Sequence, residues 1–142
     1  MADASNTLLL EVATPLGMAL KLDTDSVQVP SVSGELGVLP GHVALLAALK
    51  PGILGYRRDG QALRAAVGGG YAEVDATHVG LIAEFFARPE DVDVEVARRD
   101  LEAAETRLKA HDGPIDEIEH KEAQKDLDWA LARIELVGGE AS

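Results

Sequence analysis

Short apolar runs separated by turn-forming residues characterise the first 88 residues of the chain. This pattern is typical of the strands of an antiparallel β-sandwich. The predicted strands are 7–12, 18–22, 27–29, 53–57 and 77–86. Within the last of them the apolar residues alternate, as in a strand with one face in a core, and a few large apolar residues on the second face indicate that it is partly covered too.

Glycine marks two special positions in this half. Asp59-Gly60 predicts a tight hairpin turn, because Asp and Gly readily adopt the positive φ angles that such turns require. Gly68-Gly69-Gly70 interrupts a strand and predicts a bulge or bend. A phosphate-binding loop is the weaker interpretation, since Tyr71-Ala72-Glu73 follows where a Lys and a Ser or Thr would be needed.

From residue 89 onward the apolar positions recur at helical spacing instead. The first stripe is Ala97, Leu101, Ala104 and Leu108, and the second is Ala123, Leu127, Ala130, Ile134 and Val137. His111-Asp112-Gly113-Pro114 between them predicts the end of one helix and the start of another at 115–137, which Gly138-Gly139 ends. We predict an α+β chain: an N-terminal antiparallel β-sandwich domain over 1–88, followed by a C-terminal antiparallel two-helix hairpin over 89–142.

The Ala-rich stripes bury little area, so we expect the hairpin to be marginal alone and to depend on docking. Trp129, with Arg133 and Leu136, lies off the main stripe. The favoured interpretation is that this group packs on the sandwich, and the alternative is that it contacts a partner subunit.

Composition and charge exclude several classes of protein. The net charge is −12, of which −3 falls in residues 1–88 and −9 in 89–142. This balance argues against nucleic-acid binding and against docking on anionic lipid. The chain has no cysteine, and no apolar run approaches the roughly 20 residues of a membrane-spanning helix. The start, Met1-Ala2-Asp3-Ala4-Ser5, lacks the basic residues of a signal or transit peptide.

The residues suggest no constellation for catalysis. The four histidines, His42, His78, His111 and His120, lie in different segments without metal-ligand spacing. The carboxylates of the second half interleave with Lys and Arg, as on solvated helix faces. We therefore expect no catalytic site, no cofactor and no metal.

One segment stands apart, GELGVLPGHVALLAALKPG at 34–52. Three glycines and a proline within its first eight residues, 34–41, predict a long shaped loop, in which Glu35 and His42 flank an apolar tip of Leu36, Val38 and Leu39. An apolar tip is unfavourable in water unless it is covered. The tip either folds back onto the sandwich or meets a partner, and the residues alone favour neither.

This segment resembles the signature stretch of the epsilon subunit of F-type rotary ATP synthases, and the likeness extends over the whole chain. The resemblance implies a non-catalytic rotor subunit that helps couple proton flow to ATP synthesis, with catalysis on the beta subunits. It implies contacts with the gamma subunit and the c ring, with Glu35 on the c-ring side and His42 near gamma. Leu36, Val38 and Leu39 complete the implied contact set. Without a leader-like start, the location would be the cytoplasmic face of a bacterial plasma membrane, peripheral and reached through partners.

Two departures from the family pattern concern regulation. Some relatives bind ATP through a motif of the form I/L-D-x-x-R-A, and here Asp93 and Ala97 match it while Val96 stands in the arginine position. Ala87 stands where an acidic residue is expected. Without the guanidinium, ATP binding should be weak. An ATP-sensing module whose hairpin clamps nucleotide is therefore the alternative function.

The second departure concerns inhibition of the catalytic head. In some relatives the hairpin extends towards the beta subunits, helped by basic residues, but 115–137 here holds three basic against seven acidic residues. We expect a hairpin that stays folded down or inhibits weakly. A carbohydrate-binding sandwich is a third interpretation, and five aromatic residues are too few for it. An independent enzyme ranks last.

Overall fold

The computed structural model describes residues 6–115 and 117–138. The strands are β1 (Leu8–Thr14), β2 (Gly17–Thr24), β3 (Ser26–Ser31), β4 (Gly34–Val38), β5 (Leu45–Leu49), β6 (Gly52–Arg58), β7 (Gln61–Val67), β8 (Gly70–Val74), β9 (His78–Ala83) and β10 (Phe86–Ala87). A 3₁₀ turn (Pro89–Asp91) leads to helices α1 (Val94–Ala110) and α2 (Ile118–Gly138). The predicted fold class, a β-sandwich followed by two helices, is confirmed. The predictions made on residues 1–5 and on Gly139 lie outside the described residues.

The strands form one continuous sheet folded into two layers. Its order is β10-β7-β6-β3-β5-β8-β9-β1-β2, with β4 paired to β3. Neighbouring strands are antiparallel except for β1 and β9, which are parallel. Between the layers lies a core of aliphatic side chains, among them Leu8, Leu10, Leu54 and Leu81, which are at most 1% exposed.

Two glycine positions behave as predicted. Asp59 and Gly60 form the β6–β7 turn with φ angles of +52° and +79°. The Gly68–Gly70 run separates β7 from β8, and a Cβ on Gly70 would lie 1.8 Å from the carbonyl oxygen of Ile82. The run therefore lets the backbone of the opposite strand approach closely where the chain passes from one layer to the other.

The predicted strand 77–86 is divided by the same bend. β9 pairs with β8 and β1, whereas the short β10 pairs with β7. Between them Gly69 accepts a backbone hydrogen bond from Glu84, and Phe85 accepts one from Gly68. The apolar alternation continues through the bend, so the sequence pattern does not reveal it.

Two predicted boundaries are wrong. The stretch 34–41 is not a long loop, because Gly34–Val38 forms strand β4 and pairs with β3. Of its three glycines, Gly34 and Gly37 lie in β4 and Gly41 lies in the turn that follows. The second helix begins at Ile118 rather than at residue 115, since Pro114 and Ile115 belong to the interhelical turn.

The hairpin docks through α2 on β6 and β7. Ala132 and Leu136 of α2 are buried with Ala66 of β7. The Trp129 ring stacks on Phe85 with centroids 5.3 Å apart, and the Arg133 guanidinium lies 5.4 Å from the Trp129 ring centre. The favoured interpretation of Trp129, packing on the sandwich, is confirmed.

An ion pair adds a second tie between the two parts of the chain. Lys125 Nζ lies 3.0 Å from a Glu84 carboxylate oxygen. The hydrogen bond to Glu84 raises the pKa of Lys125 above its usual value. Both side chains are largely exposed, so the pair contributes little to docking compared with the aromatic stack.

Candidate partner-binding surface

A row of uncharged residues, here called the apolar row, crosses five strands. It lies on the outer face of the layer formed by β5, β8, β9, β1 and β2, here called the second layer. Backbone pairing places Ala48 of β5, Tyr71 of β8, Ile82 of β9, Ala13 of β1 and Met18 of β2 side by side. The large members are exposed: Ile82 by 68%, Tyr71 by 59% and Met18 by 56%. Leu46 on β5, two residues from Ala48, is 67% exposed on the same face.

A more polar row lies beside the apolar row. It begins at Glu73, which pairs with the apolar Leu46, and continues through Gly80 and Glu11 to Lys21. His78 Nε2 lies 2.6 Å from Glu11 Oε1. The imidazole reaches Glu11 by lying over Gly80, where a Cβ would be 2.7 Å from His78 Cε1.

Together the two rows enclose a shallow depression of about 430 Å³. Contiguous apolar surface with a polar border is characteristic of a site where another protein docks. Helices α1 and α2, as far as the structure describes them, do not cover this face, because α2 packs on β6 and β7 of the other layer. This face is therefore the strongest candidate binding surface of the described residues.

The five contact residues predicted at 34–42 separate into two groups. Val38 is only 1% exposed and Leu36 packs against the sandwich core, so these two anchor β4. Glu35 is exposed opposite Pro30, and Leu39 is 64% exposed. His42 is partly buried, and its Nδ1 lies 2.7 Å from the carbonyl oxygen of Val43. The apolar tip therefore folds back in part, and Leu39 remains available to a partner.

The β8–β9 turn supports the connection between β4 and β5, residues 39–44, which contains His42 and is here called the His42 loop. The Gly41 N–H donates to the carbonyl oxygen of Ala76, at 2.8 Å. That turn is itself closed by Asp75 Oδ1, which accepts a hydrogen bond from the Thr77 N–H at 2.9 Å. This backbone hydrogen bond lowers the pKa of Asp75. The loop therefore sits beside one end of the second layer, where β8 and β9 meet.

The residues of the incomplete nucleotide motif have structural roles. Asp93 is the N-cap of α1, and its Oδ1 accepts hydrogen bonds from the N–H groups of Glu95 and Val96 at 3.0 and 3.2 Å. Ala97 is fully buried, and Val96 is partly exposed. One oxygen of Asp93 is thus committed to the helix start, which is a sufficient reason for an aspartate at this position.

The fold and the surface together define a class of protein. The sandwich carries a docked helical hairpin on one layer, and on the other layer an apolar face that none of the described residues covers, as in proteins that bind a partner through one face of a sheet. Comparison with known proteins identifies the family.

Residues 7–89 match the family described as ATP synthase, Delta/Epsilon chain, beta-sandwich domain, and residues 90–138 match its long alpha-helix domain. The ATP synthase epsilon chain of Nitratidesulfovibrio vulgaris (strain Hildenborough) is 39% identical over 132 residues, which are 93% of this chain and 96% of that one. The epsilon chain of Synechococcus sp. (strain WH7803) is 38% identical over 129 residues, 91% of this chain and 95% of that one.

Two solved structures share the fold. A chain of the Euglena gracilis mitochondrial ATP synthase, from an OSCP/F1/c-ring structure, superimposes with a TM-score of 0.75 at 23% identity, over 88% of this chain and 78% of that one. A chain of the Tetrahymena thermophila mitochondrial ATP synthase central stalk and c-ring gives 0.52 at 18% identity, over 84% and 87%.

The chain belongs to the ATP synthase delta/epsilon chain family. The predicted family and the predicted accessory role, with catalysis on other chains, are confirmed.

Sequence reasoning missed the apolar row. The available signal was Ile82, a large apolar residue on the second face of the last strand, which indicated partial cover without locating it. Tyr71, Met18 and Leu46 come from three other strands, so only the pairing register brings them together.

Proposed function

We propose that this chain is a non-catalytic rotor subunit of a proton-translocating ATP synthase, and that it binds the gamma subunit through the apolar row. In this role it helps couple proton flow through the c ring to ATP synthesis on the catalytic head. The single observation that carries the proposal is the uncovered apolar row across five strands. Family membership supports the assembly, since the structural neighbours come from F1/c-ring and central stalk/c-ring structures.

The apolar row fits gamma better than it fits the c ring. A rotor subunit needs a lasting attachment to the shaft, and burial of large apolar side chains provides it at about 25 cal/mol per Å². Four large side chains, on Met18, Leu46, Tyr71 and Ile82, offer this area without rearrangement of the sandwich. The Glu11–His78 pair beside them would restrict the orientation of docking through directional polar contacts.

Strand β4 and the turn that follows it supply the second contact in this proposal. Glu35 and Leu39 are exposed and face the c ring, while His42 lies at the border with gamma. Leu36 and Val38 act indirectly, by fixing β4 to the core. The proposal therefore narrows the direct contacts of this segment to Glu35, Leu39 and His42.

The hairpin is proposed to act as a separate unit, divided from the sandwich near Arg88–Pro89. Its docked position is supported by the Phe85–Trp129 stack and by the acidic surface of α2, which would be repelled by an acidic site on a beta subunit. In this proposal the hairpin contacts a beta subunit only when it is extended, and it inhibits ATP hydrolysis only weakly.

Attachment to the membrane is proposed to occur through partners, on the cytoplasmic face of a bacterial plasma membrane. Within the described residues, no helix combines the length and hydropathy needed to cross a bilayer.

The test of the gamma contact is a binding measurement with the full chain and the gamma subunit of the same synthase. Ile82→Glu places a charge in the middle of the row, and the matched control is Val32→Glu, an equally exposed residue in the β3–β4 turn. Loss of an apolar contact of about 3 kcal/mol together with burial of a carboxylate should weaken binding by about 100-fold or more. The control should bind as the unchanged chain does.

The contact with the c ring is tested separately, in the assembled synthase. Leu39→Glu should leave gamma binding intact and lower proton pumping coupled to ATP hydrolysis. If Ile82→Glu binds gamma normally, the apolar row is not the interface, whatever Leu39→Glu does. Normal pumping with Leu39→Glu would remove the c-ring contact from the proposal and leave the gamma contact standing.

A further inference from the structure

The turn between the two helices brings together side chains from three positions in the chain. One nitrogen of His111 and one carboxylate oxygen each from Glu117 and Glu119 lie within 4.8 Å of one another. The His120 ring lies edge-on to His111, with centroids 5.2 Å apart. The linear spacing of the histidines gave no sign of this, because the reversal of the chain creates the cluster.

His111 is held in place rather than free in solvent. It is the residue that follows α1, and its side chain is only 10% exposed. Its Nε2 donates a hydrogen bond to the Pro114 carbonyl oxygen at 3.0 Å and lies 3.7 Å from Glu117 Oε2, so a metal bound through Nε2 takes the place of that proton. The Glu117 carboxylate folds back over Gly113, where a Cβ would lie 3.0 Å from Oε2. The glycine therefore leaves room for the carboxylate to approach the imidazole.

The separations between these donor atoms are slightly wider than those between ligands on one small cation. Zinc bonds of about 2.0–2.2 Å in a tetrahedral arrangement place neighbouring donor atoms about 3.3 Å apart. His111 Nε2 and Glu117 Oε2 are 3.7 Å apart and the whole cluster lies within 4.8 Å, so small rotations of the exposed glutamate side chains bring the three donors onto one ion. Imidazole with carboxylates is a donor set that suits zinc and similar transition metals, whereas Mg²⁺ and Ca²⁺ prefer oxygen alone.

We propose that the interhelical turn is a divalent transition-metal site of the zinc class, with His111, Glu117 and Glu119 as ligands. His120 is close enough to serve as a further ligand after rotation of its side chain. The ligands come from the end of α1, the turn and the first turn of α2, so a bound metal fastens the two helices at this end of the hairpin. The partial negative charge at the α1 C-terminus favours a cation there.

The experiment is an isothermal calorimetric titration of the full chain with Zn²⁺ near neutral pH. The visible absorption spectrum of the chain with Co²⁺ is a second probe, because it reports tetrahedral coordination. The expected result is saturable binding of one ion per chain. His111→Gln and Glu119→Gln should each weaken the affinity at least about tenfold, as loss of a ligand does. The matched control is His42→Gln, which removes a histidine from the β4–β5 segment, far from the cluster, and should leave the Zn²⁺ affinity of the isolated chain unchanged.

Each outcome decides the proposal. Absence of saturable Zn²⁺ binding by the unchanged chain overturns it, as does binding that Glu119→Gln leaves intact. Loss of affinity in His42→Gln equal to that in His111→Gln would mean nonspecific histidine binding and would also overturn it. Glu119 is exposed, so Glu119→Gln does not disturb the fold and remains informative even if His111→Gln is unstable. Saturating Zn²⁺ should also raise the thermal midpoint of the unchanged chain, and not that of Glu119→Gln.

Discussion

Trp129→Ala should release the helical hairpin while the sandwich stays folded. Trp129 is the one tryptophan of the chain, and its ring stacks on Phe85 at the junction of α2 with the sandwich. The other contacts across the junction are Ala132 and Leu136 against Ala66, with partly buried aliphatic side chains beside them, and the Lys125–Glu84 pair; none of them is aromatic. Alanine keeps the helix propensity of α2, so the change acts on docking.

The magnitude follows from the area lost. A tryptophan side chain that is partly buried hides about 120 Å² of apolar surface, which at about 25 cal/mol per Å² amounts to about 3 kcal/mol. Loss of the stack on Phe85 adds about 0.5–1.5 kcal/mol. The two contributions sum to about 3.5–4.5 kcal/mol, and because area-based values are upper bounds we use the lower figure of about 3 kcal/mol, which corresponds to at least a roughly 100-fold increase in the undocked population.

Native-state hydrogen exchange measures this directly, because amides that open in one cooperative step report the free energy of that step. Amides of α1 and α2 should exchange about 100-fold faster in Trp129→Ala, while those of β1 and β9 should change little. The matched control is Lys125→Ala, one turn earlier on the same helix, which removes the ion pair with Glu84. It should cost less than about 1 kcal/mol, as exposed pairs do.

Equal acceleration in the helices and in β1 and β9 would refute the reasoning, because it would mean that hairpin and sandwich unfold as one unit. Acceleration no greater than that of Lys125→Ala would refute the assigned energies, because docking would then not depend on the aromatic stack.

Two further changes test the backbone of the sandwich. Gly70→Ala should lower the free energy of unfolding by about 3 kcal/mol or more, because the added Cβ would meet a carbonyl oxygen of β9. The control is Gly60→Ala, where space is open and the cost should be about 1–2 kcal/mol from the positive φ alone. Equal losses of the two variants in urea unfolding would contradict the clash. Asp75→Asn should lower stability near neutral pH by an amount that vanishes in acid. The hydrogen bond from the Thr77 N–H lowers the folded-state pKa of Asp75. The stabilisation by the carboxylate is therefore fully present above about pH 4 and is lost as the pH falls through the folded-state pKa. If the difference in unfolding free energy between the two chains does not shrink in acid, the charge of the carboxylate is not its cause.

Much of the fold could be predicted because local patterns and tertiary packing agree. The Asp59-Gly60 turn and the alternation in β9 are local signals that the structure preserves. The stretch 34–41 was misjudged because its glycines indicate turns, whereas Gly34–Val38 becomes strand β4 by pairing with β3. The start of α2 was placed too early because Pro114 is also compatible with a first helical position.

The candidate binding surface was less predictable than the fold. Leu39 and His42 were predicted as contacts because they lie in a recognisable segment, and that prediction still stands to be tested, whereas Leu36 and Val38 looked equally available and pack into the core. The apolar row depends on register across five strands, and a shift of one residue would place the same side chains on the opposite face. No local pattern contains that information.

The two functional faces are neighbours at one edge of the sandwich. The hairpin packs on β6 and β7, and the apolar row crosses the other layer and ends at Met18. Met18 also lines a groove of about 560 Å³ whose far side is formed by Phe85 and Trp129. A partner that covers the row as far as Met18 therefore reaches the open side of the aromatic stack, and any apolar contact made there strengthens hairpin docking. By thermodynamic linkage a docked hairpin would strengthen the binding of such a partner by the same factor, so in the proposed assembly we expect gamma binding and hairpin docking to be coupled through this groove.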